Sequence, residues 1–252
     1  MDMLLNELFL SERLMDIDAD VAYIYNLGFR NPLAQIQQSG RIEHDTFTKH
    51  VIDTSKLTSD LARRAHALNP CAIHIQDPAI GGNHYDPRNR LISVQTNINA
   101  ISYVRFNHGG DLQKAANSLD SPLDSRLLKE FSPAVARGSI HHELVHWIDD
   151  TLHNQHIHKR IQRAYQQNQT TLARNVPINL DHLELQSQIH NIYQLKQAHA
   201  SDWDSMSFVD MISYSPSLSA IYDNLSPAHK TYWLRKLKTR MAREGLLGRN
   251  MK

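Results

Sequence analysis

The chain has 252 residues, with 27 Lys and Arg against 26 Asp and Glu and a net charge of +1. A balance so close to neutral creates no field that would gather nucleic acid or anionic lipid, so roles at either surface are set aside. Cys71 is the single cysteine, which excludes an internal disulfide and any cysteine-based zinc site; a metal would have to be held by His and carboxylates.

In chain order, residues 3–15 and 19–27 read as short helices, with Leu4, Leu5, Leu8 and Phe9, then Val21, Ile24 and Tyr25, as their apolar positions. Asp2, Asn6 and Glu7 break the first of these, so it is not a secretory signal, and no apolar run reaches the length of a membrane span. The expectation is a soluble protein that is either cytoplasmic or translocated by a route needing no such signal. Gly28 and Asn31-Pro32 interrupt the helical pattern, which resumes from Asp45 to Leu68 with Val51, Ile52, Leu57, Leu61 and Ala65 facing inward. Asn69-Pro70 ends it.

Residues 71–106 change character. Cys71–Ile75 is short, β-branched and bounded by Pro70 and Asp77-Pro78, so it reads as a strand, and Leu91–Gln95 reads as another. Ile80–Asn83 and Tyr85–Arg90 are turns, and Ile101–Phe106 is a third strand candidate, so a small antiparallel sheet is expected. Helices return after Gly109-Gly110. Towards the C-terminus Phe208, Met211, Ile212, Ile221 and Tyr222 look like core. Ser226-Pro227 opens a helix that packs through Tyr232, Trp233, Leu234 and Leu237 and exposes a basic face. No repeat or linker divides the chain. The reading is a single domain over 1–252, with a helical part at 1–70, a catalytic core at 71–200 and C-terminal helices at 201–252.

Within that core lies Ser139-Ile140-His141-His142-Glu143-Leu144-Val145-His146-Trp147-Ile148-Asp149-Asp150. Ser132-Pro133 supplies an N-cap and a first-turn proline, and Ile140, Leu144, Ile148 and Leu152 recur every four residues, so one helix is predicted from Pro133 to Leu152. On it, His142 and His146 stand one turn apart on one face, the spacing for two nitrogen ligands of a tetrahedral Zn²⁺. Glu143 is rotated to the edge of that face, where it can reach a water without being a ligand. His153 lies about 10 Å further along the axis and is too far to join the pair. His156 and His158 are read as solvent-facing.

A zinc site of this kind needs a third protein ligand and an open position. A third His ten residues after the first would fall at Leu152, and Asp149 and Asp150 rise away from the pair on the same helix, where they suit support or capping. The remaining source is a carboxylate on a later helix. Glu184 is the candidate, near the start of a stripe formed by Leu185, Ile189, Ile192 and Leu195.

His142-Glu143-Leu144-Val145-His146 with Glu184 on a following helix resembles the gluzincin group of zinc metallopeptidases. That resemblance implies a zincin-like α+β domain, mostly α, with the sheet packed on the HExxH helix. Ser187 matches the small residue the group often carries three positions after its glutamate, whereas Gln188 stands where an Asp is usual. The stretch from Tyr85 to Val94 looks like the sheet edge beside the active-site helix, with Leu91, Ile92, Ser93 and Val94 as the strand to which an extended substrate would add.

The function these residues lead us to expect is a monomeric zinc endopeptidase acting on a protein or peptide. Zn²⁺ is held by His142, His146 and Glu184, and Glu143 serves as general base towards the attacking water. Asp149, Asp150, Gln188, Tyr193, Tyr214, Tyr222 and His190 are candidates for supporting the ligands or stabilising the oxyanion. The alternatives are a non-catalytic zincin-fold scaffold, a metal-dependent hydrolase of a non-peptide bond, and a bacterial effector protease delivered into another cell.

Overall fold

Short apolar stretches separated by Ser, Asx and Gly residues build many brief elements. The computed structural model describes residues 16–119, 121–152 and 182–251, with backbone alone at 121–125, 182–184, 186 and 187. In chain order come helices α1 (Asp18–Gly28) and α2 (Arg30–Ser39), strand β1 (His50–Asp53), helix α3 (Asp60–Leu68) and strands β2 (Ala72–Ile75), β3 (His84–Asp86) and β4 (Leu91–Val94). Helices α4 (Ile98–Ser102), α5 (Leu112–Asn117), α6 (Ser121–Glu130), α7 (Pro133–Leu152) and α8 (His182–Ala198) follow, then α9 (Phe208–Tyr214), α10 (Pro216–Asn224) and α11 (Pro227–Arg243). The fold is α+β and mostly helical, as the sequence predicts. No described helix is long and apolar enough to cross a membrane. The first predicted helix, at 3–15, and His153, His156 and His158 lie outside the described residues.

Ser-Pro pairs set several of these helix starts. The hydroxyl oxygen of Ser132 accepts from the backbone N–H of Val135 at 3.3 Å, that of Ser215 from Leu218 at 3.3 Å, and that of Ser226 from His229 at 3.4 Å. In each case the following proline occupies the first turn, where its missing N–H leaves no hydrogen bond unmade. Pro32 is tolerated in the same way within the first turn of α2, so Asn31-Pro32 does not interrupt a helix as expected.

The segment from Asp45 to Leu68 is not one helix. It is strand β1, a 3₁₀ turn over Thr54–Lys56, and α3, which is capped by Ser59. Val51, expected to face inward, is 53% exposed, because β1 is an outer strand with one face to solvent. Ile101–Phe106 is not a strand either; α4 runs into a π-helical turn over Tyr103–Asn107.

The sheet has the order β1-β2-β4-β3. β1 pairs antiparallel with β2 and β3 antiparallel with β4, but β2 and β4 run parallel, with Ile73 opposite Ile92 and Ile75 opposite Val94. The sheet is therefore mixed and not antiparallel, and Leu91–Val94 is an interior strand with both sides occupied. It cannot be the edge to which a substrate strand adds. The outer strands are β1 and β3. Interior placement also explains why β4 lacks alternation: Ile92, Ser93 and Val94 are all fully buried, with the Ser93 hydroxyl donating to the carbonyl of Gly82 at 3.0 Å.

Two apolar clusters form the core. The first joins Ile73, Ile75, Ile92 and Val94 of the sheet to Val21 and Ile24 of α1 and to Ile140, Leu144, Trp147 and Ile148 of α7. The second joins Ile189, Ile192 and Leu195 of α8 to Trp203, Met211, Leu218, Trp233 and Leu237, with Ala134 of α7 among them. All three tryptophans of the chain are buried and each indole N–H has an acceptor. Trp147 donates to the carbonyl of Asn69 at 3.0 Å, Trp203 to the carbonyl of Leu246 at 2.8 Å, and Trp233 to Oε1 of Gln188 at 2.8 Å.

Gly28 shows how closely α1 lies on the sheet, since a Cβ there would sit 2.2 Å from Cγ2 of the buried Ile75. Gly28→Ala should therefore destabilise the protein by about 1–3 kcal/mol through overpacking. In combination with Ile75→Ala, which removes that Cγ2 methyl, the loss from Gly28→Ala should be less than additive. Denaturant titration of the single and double variants checks this, and additive losses would refute the close contact.

Candidate metal centre

Helix α7 is buried on most of its circumference. Ile140, Leu144, Trp147 and Ile148 face the first core, and Ala134, Gly138 and His141 face α8. Counting in steps of 100° per residue, a strip between these faces carries Val135, Ser139, His142 and His146, while Arg137 on the other side is exposed over the Tyr25 ring. His142 Nε2 and His146 Nε2 stand 3.0 Å apart, and Glu143 Oε1 lies 4.0 Å from His142 Nε2. Glu143 is 5% exposed. Burial pushes the His146 imidazole down to about 4, so it is neutral at physiological pH with a lone pair to offer.

The pair fits a metal. Two imidazole nitrogens on one tetrahedral zinc, at bonds of about 2.05 Å, are separated by roughly 3.3 Å, close to the spacing already present. Among the described residues no third His, Cys, Asp or Glu completes a ligand cluster with them. Glu184 is on the first turn of α8, the helix packed most closely on α7, but its side chain lies outside the described residues.

The supporting residues named from sequence have diverse surroundings. Asp150 is 6% exposed; its Oδ2 accepts from the Tyr85 hydroxyl of β3 at 3.0 Å, and among the described residues Oδ1 has no hydrogen-bond partner. That Tyr85 hydroxyl also accepts from Asn69 Nδ2 at 3.1 Å, and Asn69 is the residue whose carbonyl holds Trp147, so the C-terminal half of α7 is tied to the sheet. Asp149 is half-buried on the same turn. Gln188 turns its carbonyl oxygen to the indole of Trp233, joining α8 to α11. Tyr193 donates to Oδ2 of Asp18 at 2.7 Å, Tyr214 stacks near His199 and beneath Lys129, and Tyr222 packs beside Trp233. These contacts lead into the C-terminal layer or towards α1. Leu91, Ile92, Ser93 and Val94 lie inside the sheet, as described above.

Two features escaped the sequence reading. The first is His141, fully buried beside the pair but rotated about 100° from it. Its Nε2 lies 3.0 Å from Nδ1 of His190 and its Nδ1 lies 3.2 Å from Nε2 of Gln194, which also reaches Oδ1 of Asp18 at 3.2 Å. Burial pushes its imidazole down to about 3, so this histidine is a neutral strut between α7, α8 and α1. The signal for it was the adjacency of His141 and His142: consecutive helical residues face different neighbours, so at most one could serve the metal.

The second is a cavity of about 740 Å³ that continues the histidine strip towards the N-terminus of α7. Val135, Gly138 and Ser139 line it, together with the segment after β4 that starts at Gln95. Ser139 is about 4.5 Å along the axis from His142. The rim includes Pro78, Gly81 and Gly82, on a turn that Asp77 anchors. Asp77 is 2% exposed; its Oδ2 accepts from Lys49 Nζ at 2.7 Å and faces His74 Nδ1 at 2.9 Å, while Oδ1 accepts from the N–H of Ala79 at 3.2 Å.

No protein-family model, curated protein or solved structure matches this chain.

Lys49, then His74, hold the Asp77 carboxyl well below its ordinary 3.8, at about 2. A carboxyl whose folded value is depressed contributes stability above its unfolded value, and that stability is lost as pH falls towards the folded one. Asp77 should accordingly steepen the decline in melting temperature between about pH 4 and pH 2, and Asp77→Asn should flatten it. Identical acid limbs for the two proteins would show that the ion pair is not formed in solution.

Proposed function

We propose that the chain is a zinc-dependent endopeptidase, in which His142, His146 and Glu184 hold the metal and Glu143 is the general base. The observation that carries this reading is the pair of Nε2 atoms at 3.0 Å, on an otherwise buried helix, with the Glu143 carboxylate 4.0 Å from one of them. Zinc at that position would polarise a scissile carbonyl and acidify a water.

The remaining work falls to side chains of this chain. Glu143 accepts the proton of the attacking water and delivers it to the leaving amine. Its low exposure keeps bulk water from competing for that proton. The Trp147 and Tyr85–Asp150 contacts fix the C-terminal half of α7, so the two imidazoles keep their relative geometry. His141 fixes the opposite face of the helix against α8. If an extended peptide adds to the sheet, β3 is the outer strand that adjoins α7 through Tyr85.

Elemental analysis of metal-reconstituted protein should give one zinc per chain, retained in Glu143→Gln and reduced in His142→Ala and His146→Ala. Peptide-bond cleavage by Glu143→Gln should fall by about 10²–10⁴-fold with the fold and metal intact. Equal zinc in all these proteins, or undiminished cleavage by Glu143→Gln, would end this reading.

Glu184→Ala should weaken zinc affinity while leaving helical circular dichroism unchanged. Glu184→Asp, which withdraws the carboxylate by about 1.5 Å, should also lose affinity, because a metal–oxygen bond has a fixed length. A glutamate that merely favours a helix N-terminus would tolerate Asp. Full zinc affinity in the Asp variant would therefore remove Glu184 from the ligand set.

A further inference from the structure

Two residues that line the cavity beside the histidine strip, Gln95 and Asn191, carry buried polar atoms that the described residues leave unsatisfied. Gln95 is 4% exposed, and among the described residues neither its Oε1 nor its Nε2 has a hydrogen-bond partner. A buried amide left in this state destabilises the fold until it finds a hydrogen-bond partner. Its backbone is firmly placed, since the N–H of Gln95 donates to Oδ1 of Asn83 at 2.7 Å. The terminal torsion of a glutamine is soft, so the carboxamide can turn towards the cavity without moving that backbone.

Oδ1 of Asn191, another lining residue, is also buried without a partner among the described residues. It lies 2.9 Å from where a Cβ on Gly138 would be, so the absence of a side chain at position 138 leaves room for Asn191. The rest of the lining is neutral apart from Glu130, whose carboxylate already accepts from Nδ2 of Asn97 at 3.2 Å and whose carboxyl burial pushes upward. No described Lys or Arg lines the cavity. Turned towards the cavity, the two unpaired carbonyl oxygens and the unpaired NH₂ of Gln95 match a primary carboxamide, whose NH₂ offers two donors and whose carbonyl is an acceptor.

We infer that this cavity is a specificity pocket for a carboxamide side chain, glutamine or asparagine, of a polypeptide substrate, read by Gln95 and Asn191. The inference relies on the endopeptidase reading only for placing the scissile bond, about one helical turn from the pocket. Gln95 Nε2 donates to the ligand carbonyl, while Gln95 Oε1 and Asn191 Oδ1 accept from its NH₂. Such a pocket rejects an isosteric methionine because entry would leave these groups unpaired, and it rejects glutamate because two acceptors would then face a carboxylate.

The test uses full-length, zinc-reconstituted Glu143→Gln protein, in which binding is read without turnover. The probes are acetyl-Ala-Ala-Xaa-Ala-Ala amides with Xaa as Gln, Asn, Met, Glu or Lys, titrated by calorimetry or a competition assay. The Gln or Asn peptide should bind at least about tenfold more tightly than the Met and Glu peptides. Adding Gln95→Met, which keeps the side-chain length and removes the amide, should abolish that preference and leave the melting temperature equal or higher. Asn191→Ala should reduce it independently.

Equal binding of all five peptides, or no binding of any, would overturn the pocket. Preference for the Lys peptide would also overturn it and assign recognition to Glu130. Preference for Gln or Asn without cleavage of that peptide by the wild-type zinc protein would leave the pocket standing and defeat the endopeptidase reading instead.

Discussion

Everything in this molecule depends on one helix being buried on three sides and open along a strip. α7 gives its Ile140, Leu144, Trp147 and Ile148 to the sheet core and its Ala134, Gly138 and His141 to α8. A helix packed in this way cannot rotate about its axis without breaking a core or orphaning a polar group. The imidazoles of His142 and His146 are therefore held by the packing of residues that never touch them. The cavity along Val135 and Ser139 lies further along the same strip.

Polar anchoring sharpens that placement. The indole of Trp147 on the carbonyl of Asn69 fixes the axial position of α7 relative to the start of β2. The Tyr85–Asp150 bond fixes its roll relative to β3. On the opposite side, His141 must stay neutral to be buried, and its two ring nitrogens meet His190 and Gln194. Each bond adds only about 1 kcal/mol net, but breaking one leaves a buried group unsatisfied, which is the larger effect. Specificity of arrangement is the main return from such contacts.

The long helix was legible because its signals were redundant: the Ser132-Pro133 cap, the four-residue apolar recurrence and the HExxH spacing all point to one element, which begins where predicted. The sheet was less legible for a physical reason. β4 is buried on both faces and paired on both sides, so its sequence cannot reveal its neighbours, and the parallel β2–β4 pairing is created by β3 inserting at the outer edge. β1 was read as helix because four residues are too few to separate a period of two from a period of 3.6. At the site, spacing picked out the His pair and Glu143. It could not reveal His141 as a strut or Gln95 as an unsatisfied amide, because both depend on what tertiary packing places opposite them.

The three buried indoles also have an optical consequence. Trp147 lies in the core shared with the sheet, whereas Trp203 and Trp233 lie in the C-terminal core, and all are shielded from water. The protein thus carries built-in fluorophores in each half of its interior, with native emission at the short-wavelength end for tryptophan.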